Sequence, residues 1–208
     1  MAAVCVFCAS STRIDAGHVQ LAAELGAELA RRGHSLVSGG GSISSMGAVA
    51  SAARDGGAHT VGVIPRELAG TEIADRNADE LLITETMRER KAEMDRRSDA
   101  FLALPGGIGT LEELLEVWTA RTLGMHDKPV VVLDPDGTFN LLRDQIDALA
   151  EAGFVRPSAL RALRWTGSVG EALDAIEAEL AELDEFAGPN AVPVGAPASP
   201  AEMLEAEL

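Results

Sequence analysis

The chain is arranged around one stretch, Leu104-Pro105-Gly106-Gly107-Ile108-Gly109-Thr110-Leu111-Glu112-Glu113. An apolar run, Ala-Phe-Leu-Ala-Leu at 100–104, leads into it and predicts a buried strand. Three glycines then remove Cβ atoms from a tight turn, so that backbone N–H groups can approach an anion closely. Thr110 is a candidate N-cap for the helix that follows, whose leucines and Trp118 form an apolar stripe. A strand, a glycine loop and a helix N-terminus in this order predict a site for an anion such as phosphate.

Two structural interpretations compete with the anion site. A glycine loop before a helix is also typical of a tight turn between a strand and a helix with no ligand. Glu113 lies three residues after Thr110, which is the spacing of a capping box, so Glu113 taken alone favours a helix cap over a catalytic carboxylate. The loop by itself therefore leaves its function open.

The length and the net charge limit the classes of protein to which this chain can belong. With 208 residues, 47% of them apolar, the chain can bury one well-formed core. The net charge of −16 argues against a nucleic-acid partner, because nucleic-acid phosphates require a basic face. The charge is uneven, since no Lys or Arg follows Thr166, whereas five of the 17 basic residues fall between Arg88 and Arg97. Cations collected just before the glycine loop favour the binding of a small anion.

The two cysteines and the absence of long apolar runs bear on metal binding and location. Cys5 and Cys8 have C-x-x-C spacing, but two cysteines cannot complete a four-ligand zinc site, and in a strand they would point to opposite faces. We interpret both as reduced core residues and expect no metal site. The sequence shows neither a signal-peptide pattern nor an apolar run of membrane-spanning length, so we expect a cytoplasmic protein.

Apolar runs alternate with segments of helical periodicity along the chain. Strands are predicted at 4–8, 35–38, 60–64, 81–83, 100–104, 129–133 and 163–165. Helices are predicted at about 18–32, through Met46, at 87–98, after Thr110, at 139–152 and at 169–186, with a loop at 66–80. Continuous apolar strands that alternate with helices indicate an α/β fold with a parallel sheet covered on both faces. In such a sheet ligands bind beyond the carboxyl ends of the strands, where this loop and a second one, Gly39-Gly40-Gly41, both lie.

The helix predicted at 87–98 carries cations on its apolar side. Met87 and Met94 share one side of the helical wheel, and Arg90 and Lys91 fall between them. Either these cations extend past the methionines into water, or they face the glycine loop and bind phosphate or a carboxylate. The first turn reads Ala9-Ser10-Ser11 rather than G-x-G-x-x-G, and the second glycine loop lacks the lysine of a P-loop, which argues against dinucleotides and NTPases.

Two motifs make the sequence recognisable. Arg90-Lys91-Ala92-Glu93-Met94 and the PGGxGTxxE motif at 105–113, at this separation, resemble the LOG ("Lonely guy") family of cytokinin riboside 5′-monophosphate phosphoribohydrolases. The resemblance spans about residues 4–165. It implies a Rossmann-like parallel sheet, a homodimer, and hydrolysis of the N-glycosidic bond of a purine nucleoside 5′-monophosphate to free base and ribose 5-phosphate, with no cofactor.

The resemblance also implies roles for particular residues. The family's catalytic arginine falls on Arg90 and its catalytic glutamate on Glu113. The substrate contacts that we expect are Ser10, Gly40, Gly41, Met46, Glu67, Arg90, Lys91, Gly107, Ile108, Gly109, Thr110, Leu111, Glu112, Glu113 and Thr119. The chain departs from the family pattern at Ala9, at Ser38 and at Ser44-Ser45, and it has a longer 67–87 loop. These departures touch the pocket wall and leave the base preference open.

We expect a single domain at residues 1–187 and a flexible Pro/Ala/Gly-rich tail at 188–208. The favoured substrates are N6-modified purine riboside monophosphates, that is, cytokinin nucleotides, with no nucleic-acid or membrane partner. Two alternatives remain: a general nucleosidase for AMP and other purine nucleotides, and a non-catalytic binding protein similar to molybdenum-cofactor carriers. Proteins of this type have also been labelled lysine decarboxylases, but neither Lys91 nor Lys128 lies in an evident pyridoxal-phosphate context.

Overall fold

The computed structural model describes residues 1–69 and 73–186. Its strands are β1 (Ala3–Phe7), β2 (Ser35–Ser38), β3 (Thr60–Pro65), β4 (Glu80–Thr84), β5 (Ala100–Ala103), β6 (Val130–Leu133) and β7 (Arg164–Thr166). Its helices are α1 (Ala16–Arg31), α2 (Ser44–Asp55), α3 (Arg66–Ala69), α4 (Met87–Arg96), α5 (Ile108–Thr122), α6 (Asn140–Glu151), α7 (Pro157–Arg161) and α8 (Val169–Phe186).

The seven strands form one sheet in the order β4-β3-β2-β1-β5-β6-β7, and every pair is parallel. The chain moves outward from β1 to β4 on one side and then returns to place β5 on the other side of β1, where Val4 pairs with both Leu36 and Ala100. The connections reverse direction between β1 and β5, which opens a crevice at the carboxyl ends of these strands. The predicted Rossmann-like α/β fold is confirmed.

Helices cover both faces of the sheet, as predicted. One apolar cluster joins strand residues such as Val6 to α1, α2 and α8, and the other joins strand residues such as Phe7 to α4, α5 and α6. Cys5 belongs to the second cluster and Cys8 to the first, so the two buried free thiols point to opposite faces as the alternation predicts. The sheet therefore separates two apolar cores, and a ligand site must lie where the strands end.

The boundaries of some elements differ from the prediction. The segment predicted as a loop at 66–80 begins with the short helix α3, and its last residue already belongs to β4. Helix α7 was not predicted, although Pro157 at its first position is a helix-start signal because its φ is already helical. Over the described part of the chain, no helix is both long and apolar enough to cross a membrane. The predicted tail at 188–208 lies outside the described residues, so the domain boundary stays a prediction.

Helices α1 and α2 approach each other at backbone distance through Gly26. A Cβ atom built on Gly26 would lie 2.3 Å from the carbonyl oxygen of Val49 and 2.9 Å from the amide nitrogen of Ala53. Both neighbours are backbone atoms of α2, so they cannot move aside as a flexible side chain could. The contact between the two helices therefore depends on a residue without a side chain.

We expect Gly26→Ala to destabilise the protein by about 1–3 kcal/mol, because the added methyl group forces α1 and α2 apart. The free energy of unfolding in urea measures the effect. Ala27→Ser, at the exposed neighbouring position of α1, is the control and should change the unfolding free energy by less than about 0.5 kcal/mol. A Gly26→Ala protein as stable as this control would show that the helix contact tolerates a side chain.

Candidate active site

A cleft of about 580 Å³ opens at the carboxyl ends of the strands, where the order of the sheet predicts a ligand site. It is bordered by the loops that follow β1, β2, β3, β5 and β6, together with α4 and α5. Both glycine loops reach it, through Gly39 and Gly41 on one side and through 106–110 on the other. The crevice between β1 and β5 is thus the centre of this cleft.

The glycine loop at the start of α5 has the form of an anion site. Helix α5 begins at Ile108, and its N-cap, Gly107, has no side chain to bond the first N–H groups of the helix. A Cβ atom on Gly106 would lie 2.1 Å from Oγ1 of Thr110, so the turn closes only without a side chain there. The N–H groups of the first turn border the cleft and can bind an anionic ligand.

The prediction that Thr110 is the N-cap, with Glu113 as its capping-box partner, is wrong. The helix begins two residues earlier, so Thr110 is already a helical residue and is buried. Its position three residues before Glu113 is therefore a spacing within the helix and not a cap. The side chain of Glu113 is free to bond elsewhere, and it does so across the cleft to α4.

Arg90 and Glu113 form a buried ion pair between α4 and α5. Nη1 of Arg90 donates to Oε1 of Glu113 at 2.7 Å, and Nε donates to the carbonyl oxygen of Val63 at 3.1 Å. The two side chains are only 8% and 10% exposed. Burial raises the pKa of the Glu113 carboxyl, and the Arg90 guanidinium opposes that rise. Of the two interpretations of Arg90, the structure thus supports pairing with a carboxylate and not extension into water.

The second glycine loop makes room for this pair. A Cβ atom on Gly39 would lie 1.8 Å from Nη2 of Arg90, so the guanidinium rests directly on the loop backbone. Gly40 adopts a positive φ of 72°, which favours glycine, and its Cβ position is crowded by Ile64. The amide of Gly41 donates to the sulfur of Met46 at 3.1 Å. The loop is thereby fixed between Arg90 and the start of α2.

The structure brings most, but not all, of the predicted substrate contacts to the cleft. The residues that border it are Ser10, Gly41, Met46, Arg90, Gly107, Ile108, Gly109, Thr110, Glu112 and Glu113. Glu67 is exposed on α3 outside the cleft, Gly40 is buried within its loop and does not border the cleft, and Leu111 packs against an apolar cluster. For these last three residues, a contact with substrate stays a prediction that this cleft does not support.

Lys91 and Thr119 lie in a neighbouring cavity of about 1010 Å³ between α4 and α5, which shares Glu112 and Glu113 with the cleft. Lys91 is ion-paired with Glu112 and with Glu116, the latter at 2.7 Å, and the hydrogen bond to Glu112 raises the pKa of Lys91. These contacts explain how a lysine is accommodated beside the buried pair. They also mean that Lys91 reaches the region of Glu113 from the side away from the glycine loops.

One wall of the cleft is apolar, and the sequence pattern did not indicate that its residues belong to a site. Its members follow β2, end or follow β3, or begin α4, and they are Ile43, Ile64, Leu68, Ile73 and Met87. His18 of α1 also borders the cleft, and its Nδ1 is the one buried side-chain nitrogen or oxygen of the described residues that has no hydrogen-bond partner. Their positions near the ends of strands could have indicated some of these residues. That they form one wall of the cleft, however, depends on the order of the strands in the sheet.

Three kinds of chemistry, by a thiol, by a lysine and by a metal ion, find little support in the described residues. Burial raises the pKa of Cys8, which borders the cleft, to about 12, so that it stays a neutral and weakly nucleophilic thiol. No lysine is among the residues that border the cleft, since Lys91 pairs with Glu112 and Glu116, and Lys128 pairs with Asp95. Residues 1–69 and 73–186 contain no cluster of three or more His, Cys, Asp or Glu side chains placed to hold a metal ion.

Comparison with known proteins finds a matching family model and relatives that match over most of this chain. A family model described as "Possible lysine decarboxylase" matches residues 46–176. A protein of Mycobacterium tuberculosis named cytokinin riboside 5′-monophosphate phosphoribohydrolase is 53% identical over 172 residues, which cover 83% of this chain and 91% of the relative. A protein of Arabidopsis thaliana with the same enzyme name is 49% identical over 156 residues, covering 75% of this chain and 73% of the relative.

Solved structures support the fold. The molybdenum cofactor carrier protein of Chlamydomonas reinhardtii superposes with a TM-score of 0.62 at 22% identity, over 86% of this chain and 98% of that one. The molybdenum cofactor binding protein of Rippkaea orientalis gives a TM-score of 0.64 at 21% identity, over 86% and 95%. At these identities the likeness concerns the arrangement of strands and helices alone.

The raised pKa of Glu113 predicts a pH dependence of stability. The folded protein keeps the Glu113 proton at pH values where the unfolded chain has released it, so this group's contribution to the unfolding free energy falls as pH rises from the ordinary glutamate pKa through the raised one. Glu113→Gln removes the titration. We therefore expect the melting temperature of the wild type, minus that of Glu113→Gln, to decrease as pH rises through this window.

Glu93→Gln is a matched control with the opposite sign. Hydrogen bonds from Arg96 lower the pKa of Glu93, so its contribution is present above the ordinary glutamate pKa and is lost as pH falls through the lowered one. The corresponding difference in melting temperature should increase with pH. Parallel pH trends for the two variants would contradict the assignment of Glu113 as a carboxyl with a raised pKa.

Proposed function

The chain belongs to the family of cytokinin riboside 5′-monophosphate phosphoribohydrolases, and we propose that it hydrolyses the N-glycosidic bond of N6-modified purine riboside 5′-monophosphates to free base and ribose 5-phosphate. The observation that carries the proposal is the buried Arg90–Glu113 pair, 2.7 Å between Nη1 and Oε1, in a cleft that also contains the first turn of α5. An anion site and a desolvated carboxylate in one cleft match a substrate with a phosphate and a scissile glycosidic bond.

In the proposed mechanism the N–H groups of the first turn of α5 and its glycine loop bind the 5′-phosphate. Water attacks C1′ of the ribose while the bond from C1′ to the base nitrogen breaks, through an oxocarbenium-like state. The base leaves with the bonding electrons and takes up a proton. The Glu113 carboxylate stabilises the developing positive charge or accepts the proton of the attacking water.

Arg90 would act on Glu113 in two ways. Its hydrogen bonds to Glu113 and to the Val63 carbonyl fix the orientation of the carboxylate. Its charge also opposes the effect of burial on the pKa of Glu113, so that the ionised form needed for catalysis becomes more accessible. The pair thus combines a desolvated carboxylate with a counter-charge that holds it in place.

The apolar part of the cleft supports a base with an apolar substituent. Ile43, Ile64, Leu68, Ile73 and Met87 offer aliphatic surface that unmodified adenine would leave partly unused. A general AMP nucleosidase would use the same pair and the same phosphate site, and it is the main alternative. Decarboxylase chemistry that depends on a lysine-bound cofactor is disfavoured, because no lysine is among the residues that border the cleft.

We also propose a homodimer formed through the cavity between α4 and α5. Leu123 and Met125 border this cavity and are 64% and 75% exposed in the single chain, and Leu115 beside them is 40% exposed. Contiguous apolar surface of this kind marks interaction sites. A second copy would cover it and would enclose Lys91 and Thr119 next to Glu113.

We further propose that the protein is cytoplasmic, that it acts on small nucleotides, and that it binds neither nucleic acid nor membranes. The net charge of −16 supports the absence of a nucleic-acid partner. The two buried free cysteines agree with a reducing compartment.

Base release by chromatography, with AMP and N6-isopentenyl-AMP side by side, tests the proposal. We expect faster release from the prenylated nucleotide, and Glu113→Gln should lower kcat for it by about 100-fold or more while the protein stays folded. Glu93→Gln, whose side chain pairs with Arg96 and borders neither cavity, should keep wild-type activity. Release from AMP alone would favour the general nucleosidase, and no release from either nucleotide would favour a carrier.

Light scattering on a sizing column tests the homodimer. The wild type should have twice the chain mass of 21.7 kDa. Leu123→Asp should shift it towards the monomer, because a charge would be buried without a partner in the interface. Leu141→Asp, at a position of α6 that is 83% exposed and borders neither cavity, is the control and should leave the mass unchanged. A monomeric wild type would exclude the proposed interface.

A further inference from the structure

The segment from Ile73 to Asp79 is bound along the second glycine loop. The amide and the hydroxyl of Ser42 both donate to the carbonyl oxygen of Ile73, at 2.6 and 3.0 Å. The amide of Asp75 donates to the carbonyl oxygen of Gly40 at 2.8 Å, and Gly41 forms an antiparallel bridge with Ala74. The loop that supports Arg90 and the segment that carries Ile73 are therefore one connected backbone unit.

An ion pair fastens this unit to the end of α2. Nη1 of Arg54 donates to Oδ2 of Asp75 at 2.6 Å, and Oδ1 of Asp75 accepts the amide of Asn77 at 3.2 Å. The Asp75 side chain is 5% exposed and that of Arg54 is 20% exposed. A carboxylate this buried requires a partner, and losing one member of such a pair is costly because the other charge stays desolvated. Without Arg54, the segment would keep its backbone hydrogen bonds to the glycine loop but would lose the side-chain contact that joins it to α2.

Neither Arg54 nor Asp75 borders the cleft, so any effect on substrate must pass through the residues they position. The nearest such residue in the chain is Ile73, which faces the cleft from the same segment as Asp75, together with Leu68 of α3. These two side chains belong to the apolar part of the cleft. The place of Ile73 depends on how closely its segment lies against the Gly39–Gly41 loop, to which its carbonyl oxygen is bonded.

The sheet order decides which part of a nucleotide meets this wall. The phosphate site lies at the start of α5, after β5, whereas Leu68 and Ile73 follow β3, on the far side of β1 and β2. A nucleotide with its phosphate at α5 and its glycosidic bond at Glu113 therefore extends its base towards β3. A base that extends in this direction brings its substituents to the side of the cleft that Ile73 borders.

We propose that Arg54 and Asp75 are positioning residues that hold Ile73 in the wall of the cleft that it forms with Leu68, and thereby favour nucleotides with an apolar N6 substituent over AMP. The inference rests on the proposed function, because it assigns the base end of the same cleft. AMP lacks the group that contacts this wall. Loosening the wall should therefore affect the prenylated nucleotide and leave AMP largely unaffected.

The experiment compares kcat/KM for N6-isopentenyl-AMP and for AMP in the wild type, Arg54→Met and Asp75→Asn. We expect the ratio of the two values to fall about tenfold in both variants, at the lower end of the 10–200-fold that contact with a methylene group in an apolar pocket is worth. The fall should come from a higher KM for the prenylated nucleotide, with kcat little changed. Arg54→Lys, which keeps the charge, should recover part of the ratio.

Arg97→Met is the matched control, since it breaks an ion pair with Glu80 at 3.0 Å that also joins a helix end to the β4 side of the sheet but does not touch the glycine loop. It should leave the ratio unchanged. An equal loss for both nucleotides in Arg54→Met and Asp75→Asn would show a purely structural role and overturn the proposal.

Binding measured by calorimetry distinguishes a failure of this inference from a failure of the proposed function. If the wild type releases no base, the hydrolase proposal fails, but the ratio of dissociation constants for the two nucleotides still reports on the wall. A wild type that prefers the prenylated nucleotide, with variants that lose the preference, would support the positioning role. Unchanged ratios in both variants would contradict it.

Discussion

The ion pair between Arg90 and Glu113 is the constraint on which the site depends. Two charges that are nine-tenths buried can coexist only when each has a partner within hydrogen-bond distance. This requirement brings α4 and α5 together, uses the Val63 carbonyl as a further acceptor, and leaves no room for a side chain at Gly39. Two residues that are 23 positions apart in the chain, one from each motif, thereby meet in one cleft.

The parallel sheet supplies the place for that pair. Because the connections reverse between β1 and β5, the loops after both strands diverge and leave a crevice that no helix fills. The glycine loop after β5 brings the N–H groups of α5 to one side of it, and the loop after β2 supports the guanidinium on the other. The exposed N–H groups of α5 and the buried carboxylate are therefore two consequences of one topology.

The cleft differs in character between its two ends. Towards β5 it presents backbone N–H groups and small residues, whereas towards β3 it presents aliphatic side chains, of which Ile73 lies on the segment that the Arg54–Asp75 pair joins to α2. A ligand with an anionic end and an apolar end fits this gradient in one direction only. Orientation of the substrate is thus built into the order of the strands.

The sequence by itself determined the alternation of strands and helices, the opposite faces of Cys5 and Cys8, the glycine loop before α5, and through its two motifs the family. These features are local, because periodicity and glycine placement act over a few residues. It could not decide whether Glu113 caps a helix or pairs with Arg90, nor that Lys91 and Thr119 lie in a separate cavity from the glycine loops. Those facts depend on which strands become neighbours and on which charges are buried together, and only the tertiary structure decides either.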